Sequence, residues 1–460
     1  MSRYFEGVDA RIRAAAWKGL PFLVALVVTG LITAASYPGF MSFDSIEALR
    51  QARGAVEGSQ YPPFGSYVWR IFDWIWPGPT LMQLLQNGLL LMTLAAIFRA
   101  LRWPVLLQAS ALIAFAILPP VMGVMLVVWK DVAVAAFYLA SVYLLVIASL
   151  RPADQRGLLV AGAVVVLFFG MAYRFNAASG ALPMAVFAVW LMSEGRGIWT
   201  RRLAGLVGGF LLLLGLFAMV WFVNSYRFPS LERLERNTNM DSIMRFDLVG
   251  ISKFSGQSTM SDRQGMPIPA SYLAHIYDPR HLNITSLNDV RRLLPVEMDN
   301  IGSQWISAIR ENPMAYIHHR SAVMQEYVGL HGHEIFYVTH PSVDDNALGI
   351  RHEPNALTRR AVGHVWEHRA SWIERAWVYY LMAAMMLIIM FLSGVRLYRT
   401  EAVLVIFSGL LYLAPMSFIT PAGDLRYNFW SIVACLVGMA FSTTGLVMHY
   451  GRRSTRIDLT

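Results

Sequence analysis

One cysteine stands in 460 residues, and only 15% of the chain is charged. A single thiol excludes an intrachain disulfide, and the place of Cys435 inside an apolar run points to packing, not reactivity. So little charge beside 56% hydrophobic residues, with a mean hydropathy of +0.47, excludes an ordinary soluble enzyme. Several chemical signatures are missing too. The chain has no Gly-rich phosphate loop, no nucleophile elbow, no zinc-binding helix motif and no internal repeat, so ATP-driven and serine-hydrolase chemistry have no foothold. The net charge of +9 comes mostly from Arg and Lys in short loops, which bears on membrane orientation and not on nucleic acid.

What is present is a series of long uncharged runs, which together predict an all-α integral membrane protein of about ten transmembrane helices. They lie near 20–37, 80–98, 104–119, 132–149, 158–172, 177–192, 203–223, 376–395, 402–420 and 429–448. Alternate connections are basic: Arg3, Arg11, Arg13 and Lys18; Arg99 and Arg102; Arg151 and Arg156; Arg196, Arg201 and Arg202; Arg396 and Arg399; Arg452, Arg453 and Arg456. The positive-inside rule then predicts cytoplasmic termini. The first run has a basic leader and small residues at Ala34-Ala35-Ser36, as a cleaved signal would, but is expected to be a retained span.

The domain division follows: residues 1–223 form an N-terminal membrane module of about seven spans, 224–375 a mainly helical outer domain, and 376–460 a C-terminal module of about three spans. The first outer loop, 38–79, is expected to carry a helix at about 44–53, a break at Tyr61-Pro62-Pro63 and an aromatic stretch from Tyr67 to Trp76 that lies at headgroup level. Asn312-Pro313 predicts a helix start, because Asn can cap and Pro fits the first turn. Asn224–Arg236 reads as a charged helix or linker.

The chemistry-bearing motifs gather on the outer side. Phe43-Asp44-Ser45, Trp129-Lys130-Asp131, Arg174-Phe175-Asn176 and Asp424-Leu425-Arg426-Tyr427 all fall at outer ends of spans. Charge beside hydrocarbon is expensive, so several charged motifs at one interface suggest a site. Each also has a local structural reading. Asp44 with Glu47 fits a capping box, Lys130 could snorkel beside Trp129, and Asp424 with Arg426 could be a surface pair. His331, His333 and His340 near Glu334 match no metal-ligand spacing, so no metal is assigned; a divalent ion is not indicated.

Taken in order, an outer-loop Asp after the first span, a Trp-Lys-Asp, an Arg-Phe-Asn, a large outer domain and an Asp-x-Arg-Tyr before the last span resemble bacterial GT-C-fold membrane glycosyltransferases. The resemblance implies transfer of a sugar from a polyprenyl-phosphate donor to a glycan or lipid-linked acceptor at the outer face of the bacterial inner membrane; no cofactor is indicated, and use of a divalent metal stays open. It makes Asp44 the catalytic base, with Glu47 and Asp131 as secondary acidic candidates. Lys130, Arg174 and Arg426 would bind the donor phosphate. Trp129, Asn176, Asp424 and Tyr427 would contact substrate, as would Arg245 and Asp247 of the Arg245-Phe246-Asp247-Leu248 element. Many such enzymes carry a tight acidic pair in the first loop, whereas the nearest second carboxylate here is Glu47.

The inventory suits that chemistry on its own terms. Transfer needs a base for the acceptor hydroxyl and positive charge for the departing phosphate, and one Asp with a few Arg or Lys suffices. Direct attack assisted by one base would invert the anomeric carbon. Two other readings stay open: a polysaccharide polymerase or ligase using a pyrophosphate-linked glycan, and a multi-pass transporter, whose polar groups would sit near mid-membrane in a repeated pattern; here Gln83, Gln86 and Asn87 are the main polar group inside a span, no repeat is evident and the charges sit at the outer ends.

Overall fold

The computed structural model describes residues 2–54, 62–195, 197–225, 239–262, 264–281 and 300–457; Tyr61, Arg196 and most of the 224–236 stretch lie outside them. The described residues are helical, with isolated β-bridges and no strand. The protein is an α-helical, multi-pass membrane protein. In chain order its helices are α1 (Ser2–Ser36), α2 (Phe43–Ala52), α3 (Pro63–Ile75), α4 (Thr80–Ala100), α5 (Val105–Ile117), α6 (Pro119–Met125), α7 (Lys130–Ser149), α8 (Gly157–Ala172), α9 (Ala178–Met192) and α10 (Ile198–Ser225). There follow α11 (Asn239–Ser255), α12 (Ala270–Ile276), α13 (Ile301–Glu311), α14 (Pro313–Val328), α15 (Ala356–His368), α16 (Ala376–Leu392), α17 (Arg399–Leu413), α18 (Met416–Ile419) and α19 (Phe429–Ile457).

Among the described residues, six stretches are long and apolar enough to cross a membrane: Trp17–Ser36, Thr80–Ala100, Lys130–Ser149, Ile198–Ser225, Arg399–Ile419 and Leu425–Gly451. α8, α9 and α16 are apolar but shorter. The predicted span at 104–119 is not straight. α5 and α6 meet at a 71° bend, for a reason visible in the chain: Pro119 pushes Leu118 out of the helical region, to φ −60 and ψ 121, and the helix restarts with Pro119-Pro120 in its first turn. The carbonyls freed where α6 ends are met by α4. The Gln83 amide donates to Leu126 O at 2.9 Å and the Asn87 amide to Met125 O at 2.9 Å, so these mid-span polar groups brace a broken helix.

One apolar core runs through the bundle, in which α19 packs along α17 and α7 lies between α4 and α8. α3 leaves Ile71, Trp74, Ile75 and Trp76 exposed, as a helix lying on a membrane surface would. The segment between α10 and α15 has its own core, built on Phe246, Leu248, Ile251 and Leu273 of α11 and α12 with Val323 of α14. α14 begins at Asn312-Pro313 as expected, although the Asn312 side chain makes no capping bond.

Just before α16, Glu374 is fully buried and neither carboxylate oxygen has a hydrogen-bond partner among the described residues. Burial raises its pKa from the ordinary carboxylate value to about 8. The unfolded chain therefore gives up this proton first, and stability is full below about pH 4.5 and falls as pH rises toward 8. Glu374→Gln should flatten that slope and raise the melting temperature of the purified protein at alkaline pH, where the buried carboxylate costs on the order of several kcal/mol. Parallel pH profiles for the two proteins would refute the assignment.

Candidate functional site

The four outer motifs come from chain positions far apart and meet at one end of the bundle. α2 is fixed first. Its N-cap is Ser42, not Asp44, and the Ser42 hydroxyl accepts a hydrogen bond from Trp129 Nε1 at 2.9 Å. Ser45 Oγ donates to Val128 O at 2.8 Å, and the Val128 amide donates to Phe40 O at 3.0 Å. α2 is thereby clamped to the residues that start α7. The capping-box reading of Asp44 and Glu47 is corrected by this arrangement. The N-cap lies two residues earlier, Asp44 is already inside the helix, and Glu47 pairs with Arg50 at 2.6 Å.

The Asp44 carboxylate faces Arg426, with Oδ2 2.7 Å from Nη1. Arg426 also donates from Nε to Asp424 Oδ2 at 2.8 Å and from Nη2 to the Tyr427 hydroxyl at 3.2 Å. Its guanidinium lies over the Trp129 indole, 4.8 Å from the ring centroid. Burial raises Asp424 to about 6, against the downward pull of Arg426. Lys130 is the first residue of α7 and feels the charges of Asp44, Arg174 and Arg426. A cation there runs against the helix dipole, which favours anions at an N-terminus. The same geometry, a lysine beside the amides of a helix start, suits a bound anion.

A cavity of about 40 Å³ joins these groups, lined by Asp44, Trp129, Lys130 and Arg426 together with Gln86 and Tyr173. Gln86 Oε1 and the Tyr173 hydroxyl are buried with no hydrogen-bond partner among the described residues. Unpaired polar atoms around a small cavity call for something polar inside it. Sequence reading missed both. Tyr173 adjoins Arg174 and could have been found as part of that motif, whereas Gln86 looked like one of three equivalent mid-span amides.

The structure divides the predicted residues into those at the cavity and those that hold it. Arg174 does not line it: it is buried, ion-paired with Asp131, donates to Asn176 Oδ1 at 2.8 Å and covers the Tyr427 ring at 4.5 Å. Asp131, Arg174 and Asn176 thus form the wall behind Tyr427. Asp247 lies elsewhere, in the outer-domain core, where it receives Trp305 Nε1 at 2.7 Å, His319 Nε2 at 2.9 Å and Arg320 Nη2 at 2.7 Å. Arg245 is on the same helix and likewise does not line the cavity. The link to the site is indirect. Arg320 Nη1 donates to Thr420 O at 3.0 Å, just before the Asp424–Tyr427 segment.

The irregular stretch between α14 and α15 drapes over the site. Thr339 Oγ1 donates to Gly123 O at 2.7 Å, Met41 bridges Val343, and the Tyr337 ring stands 6.0 Å from Trp129. The Tyr337 hydroxyl bonds His340 Nδ1 at 2.7 Å, and His340 Nε2 is 3.1 Å from Asp344. His340 is therefore separated from His331 and His333, and Glu334 pairs with Arg369 at 2.9 Å. Compared with known protein families, curated proteins and solved structures, the chain matches none.

Proposed function

We propose that the protein is a membrane glycosyltransferase of GT-C-like architecture that moves a sugar from a polyprenyl-phosphate donor to a glycan or lipid-linked acceptor. The observation that carries this reading is one cavity shared by a carboxylate, Asp44, and two cations, Lys130 and Arg426, at a bundle end flanked by a membrane-surface helix. A lipid-linked sugar presents its phosphate at that depth. In this reading the ten apolar segments are ten crossings, both termini are cytoplasmic, and the cavity opens outward from a bacterial plasma membrane. Cysteines placed singly at Asn346 and Gln155 should label from outside and inside respectively; labelling of both from one side would refute the orientation.

Asp44 is the base for the acceptor hydroxyl. An aspartate ion-paired to arginine is a poor base, so the resting geometry requires a change before reaction. The donor phosphate supplies it by competing for the Arg426 guanidinium, which leaves Asp44 free to take the proton while Arg426 and Lys130 stabilise the departing phosphate. The cavity supports a second requirement. Its volume of about 40 Å³ is small for a sugar, so in this reading the site widens to admit the donor.

A transfer assay with purified protein and a panel of polyprenyl-phosphate sugars tests the reaction, and turnover of none of them would sink it. Donor binding tests the site. Lys130→Met and Arg426→Gln should each weaken binding by about 1.5–3 kcal/mol, and the double variant should lose less than the sum because both cations share one phosphate. Equal losses for a polyprenol lacking phosphate would show that the two residues do not read the anion.

A further inference from the structure

We propose that Glu326, His331 and His333 form a binding site for one divalent transition-metal ion of zinc-like preference, in a part of the outer segment that the glycosyltransferase reading does not use. The side-chain ligand atoms of the three residues all lie within 4.8 Å of one another. Glu326 Oε2 is 3.0 Å from His331 Nε2, and its Oε1 is 3.0 Å from His333 Nε2. A tetrahedral ion with ligand bonds of about 2.0–2.1 Å spaces its ligand atoms by about 3.3 Å, so small shifts suffice to seat one. Two imidazoles and a carboxylate with a fourth position open to water is a donor set that zinc accepts.

The hydrogen bonding around the cluster favours an ion over a simple pair. His333 Nδ1 is 3.1 Å from Glu334 O, and a carbonyl only accepts, so Nδ1 carries the proton. In the neutral ring Nε2 is then a bare lone pair pointed at a carboxylate oxygen, an arrangement that repels unless the ring takes up a second proton or a cation lies between. A second shell that protonates Nδ1 and turns Nε2 inward is how proteins orient metal-binding histidines. Charging both rings is no remedy. The imidazoles are stacked with centroids 3.7 Å apart, so two imidazolium ions would repel at close range.

The backbone is built to bring these residues together. Glu326 lies in the last turn of α14, whose carbonyl end favours a cation. Gly329, at φ +76, ends the helix in the left-handed conformation and turns the chain so that 331 and 333 return beside 326. Arg375 fixes that return by donating to Gly329 O at 2.9 Å, to His331 O, and to His333 O at 3.3 Å. Its charge opposes a cation, but its guanidinium is committed to those carbonyls and leaves the ligand side open. An ion here would lock the end of α14 at the place where Gly423 packs against Glu326 and Tyr327 Oη donates to Tyr427 O at 3.0 Å, and so steady the segment that carries Arg426.

The test is a metal titration of the full-length protein in detergent, stripped with chelator and then given Zn²⁺ or Co²⁺ alone, with bound metal measured by mass spectrometry. One equivalent should bind the wild type, and Co²⁺ should give the intense visible bands of a tetrahedral site. His333→Gln and Glu326→Gln should each weaken binding by about a hundredfold or more. His333 is half exposed, so its variant should fold even where Glu326→Gln does not. Less than one equivalent in the wild type would overturn the site in favour of an imidazolium–carboxylate pair. Unchanged binding in His333→Gln would show an adventitious ion only. Neither readout depends on transfer activity, so loss of this site and loss of the proposed reaction are separable.

Discussion

Asp44→Asn should cut sugar transfer by about a hundredfold or more while leaving the fold intact, the scale expected when a general base is removed. The structure sharpens the expectation in two ways. Ser42, not Asp44, stands at the start of α2, so the helix does not depend on the carboxylate. Asp44 is also partly open to solvent, and Arg426 keeps its pair with Asp424 when the Asp44 charge is removed, so the change should cost less stability than stranding a buried charge without any partner. Removing the charge leaves Arg426 held by Asp424 and more available to an anion. Turnover should therefore collapse while affinity for the polyprenyl-phosphate donor stays level or tightens. A merely structural Asp44 would lower both through misfolding, and a phosphate-site residue would lower affinity first. Normal turnover in this variant would move the role to another carboxylate, and neither alternative is well placed: Glu47 is engaged by Arg50, and Asp131 is buried against Arg174.

How far these features were readable beforehand depends on the range of the forces behind them. The apolar runs at 80–98 and 132–149 announce their helices because composition alone decides them, and α4 and α7 occupy those stretches. The bend after α5 was equally local, written in Pro119-Pro120, but an uninterrupted hydropathy run concealed it. Gathering the outer motifs needed only the alternation of spans, and Asp44, Lys130 and Arg426 do share a cavity. What escaped was the sorting among like residues. Arg174 and Arg426 look alike as arginines at span ends, yet one is paired behind the wall and the other faces Asp44, a difference set by tertiary neighbours. Asp247 misled for the same reason: a polar residue amid apolar ones marks a site or a buried hub, and Trp305, His319 and Arg320 that make it a hub lie about 60–70 residues away. The Glu326–His331–His333 cluster was hidden because its third member sits on a helix while the other two sit on the turn after it, so no fixed spacing template applies.

The largest stability effect is expected at Arg174. The Arg174–Asp131 pair is almost fully withdrawn from solvent, and Arg174→Met would leave the Asp131 carboxylate buried without its counter-charge. Breaking one side of such a pair costs about 3–5 kcal/mol, more than the pair itself is worth over a well-packed apolar replacement. Asp131→Leu should be similarly harmful, since it strands the guanidinium beneath Tyr427. The double variant Arg174→Met with Asp131→Leu removes both charges, and its melting temperature should recover most of what either single change loses. Donor affinity gives the independent reading. If Arg174 only supports the wall, the double variant should bind polyprenyl-phosphate donor within a fewfold of wild type, because Lys130 and Arg426 still face the cavity. A well-folded double variant that has lost donor binding would instead make Arg174 a direct ligand of the phosphate, reached when the first outer loop opens and the Asp131 pair is exchanged for the donor.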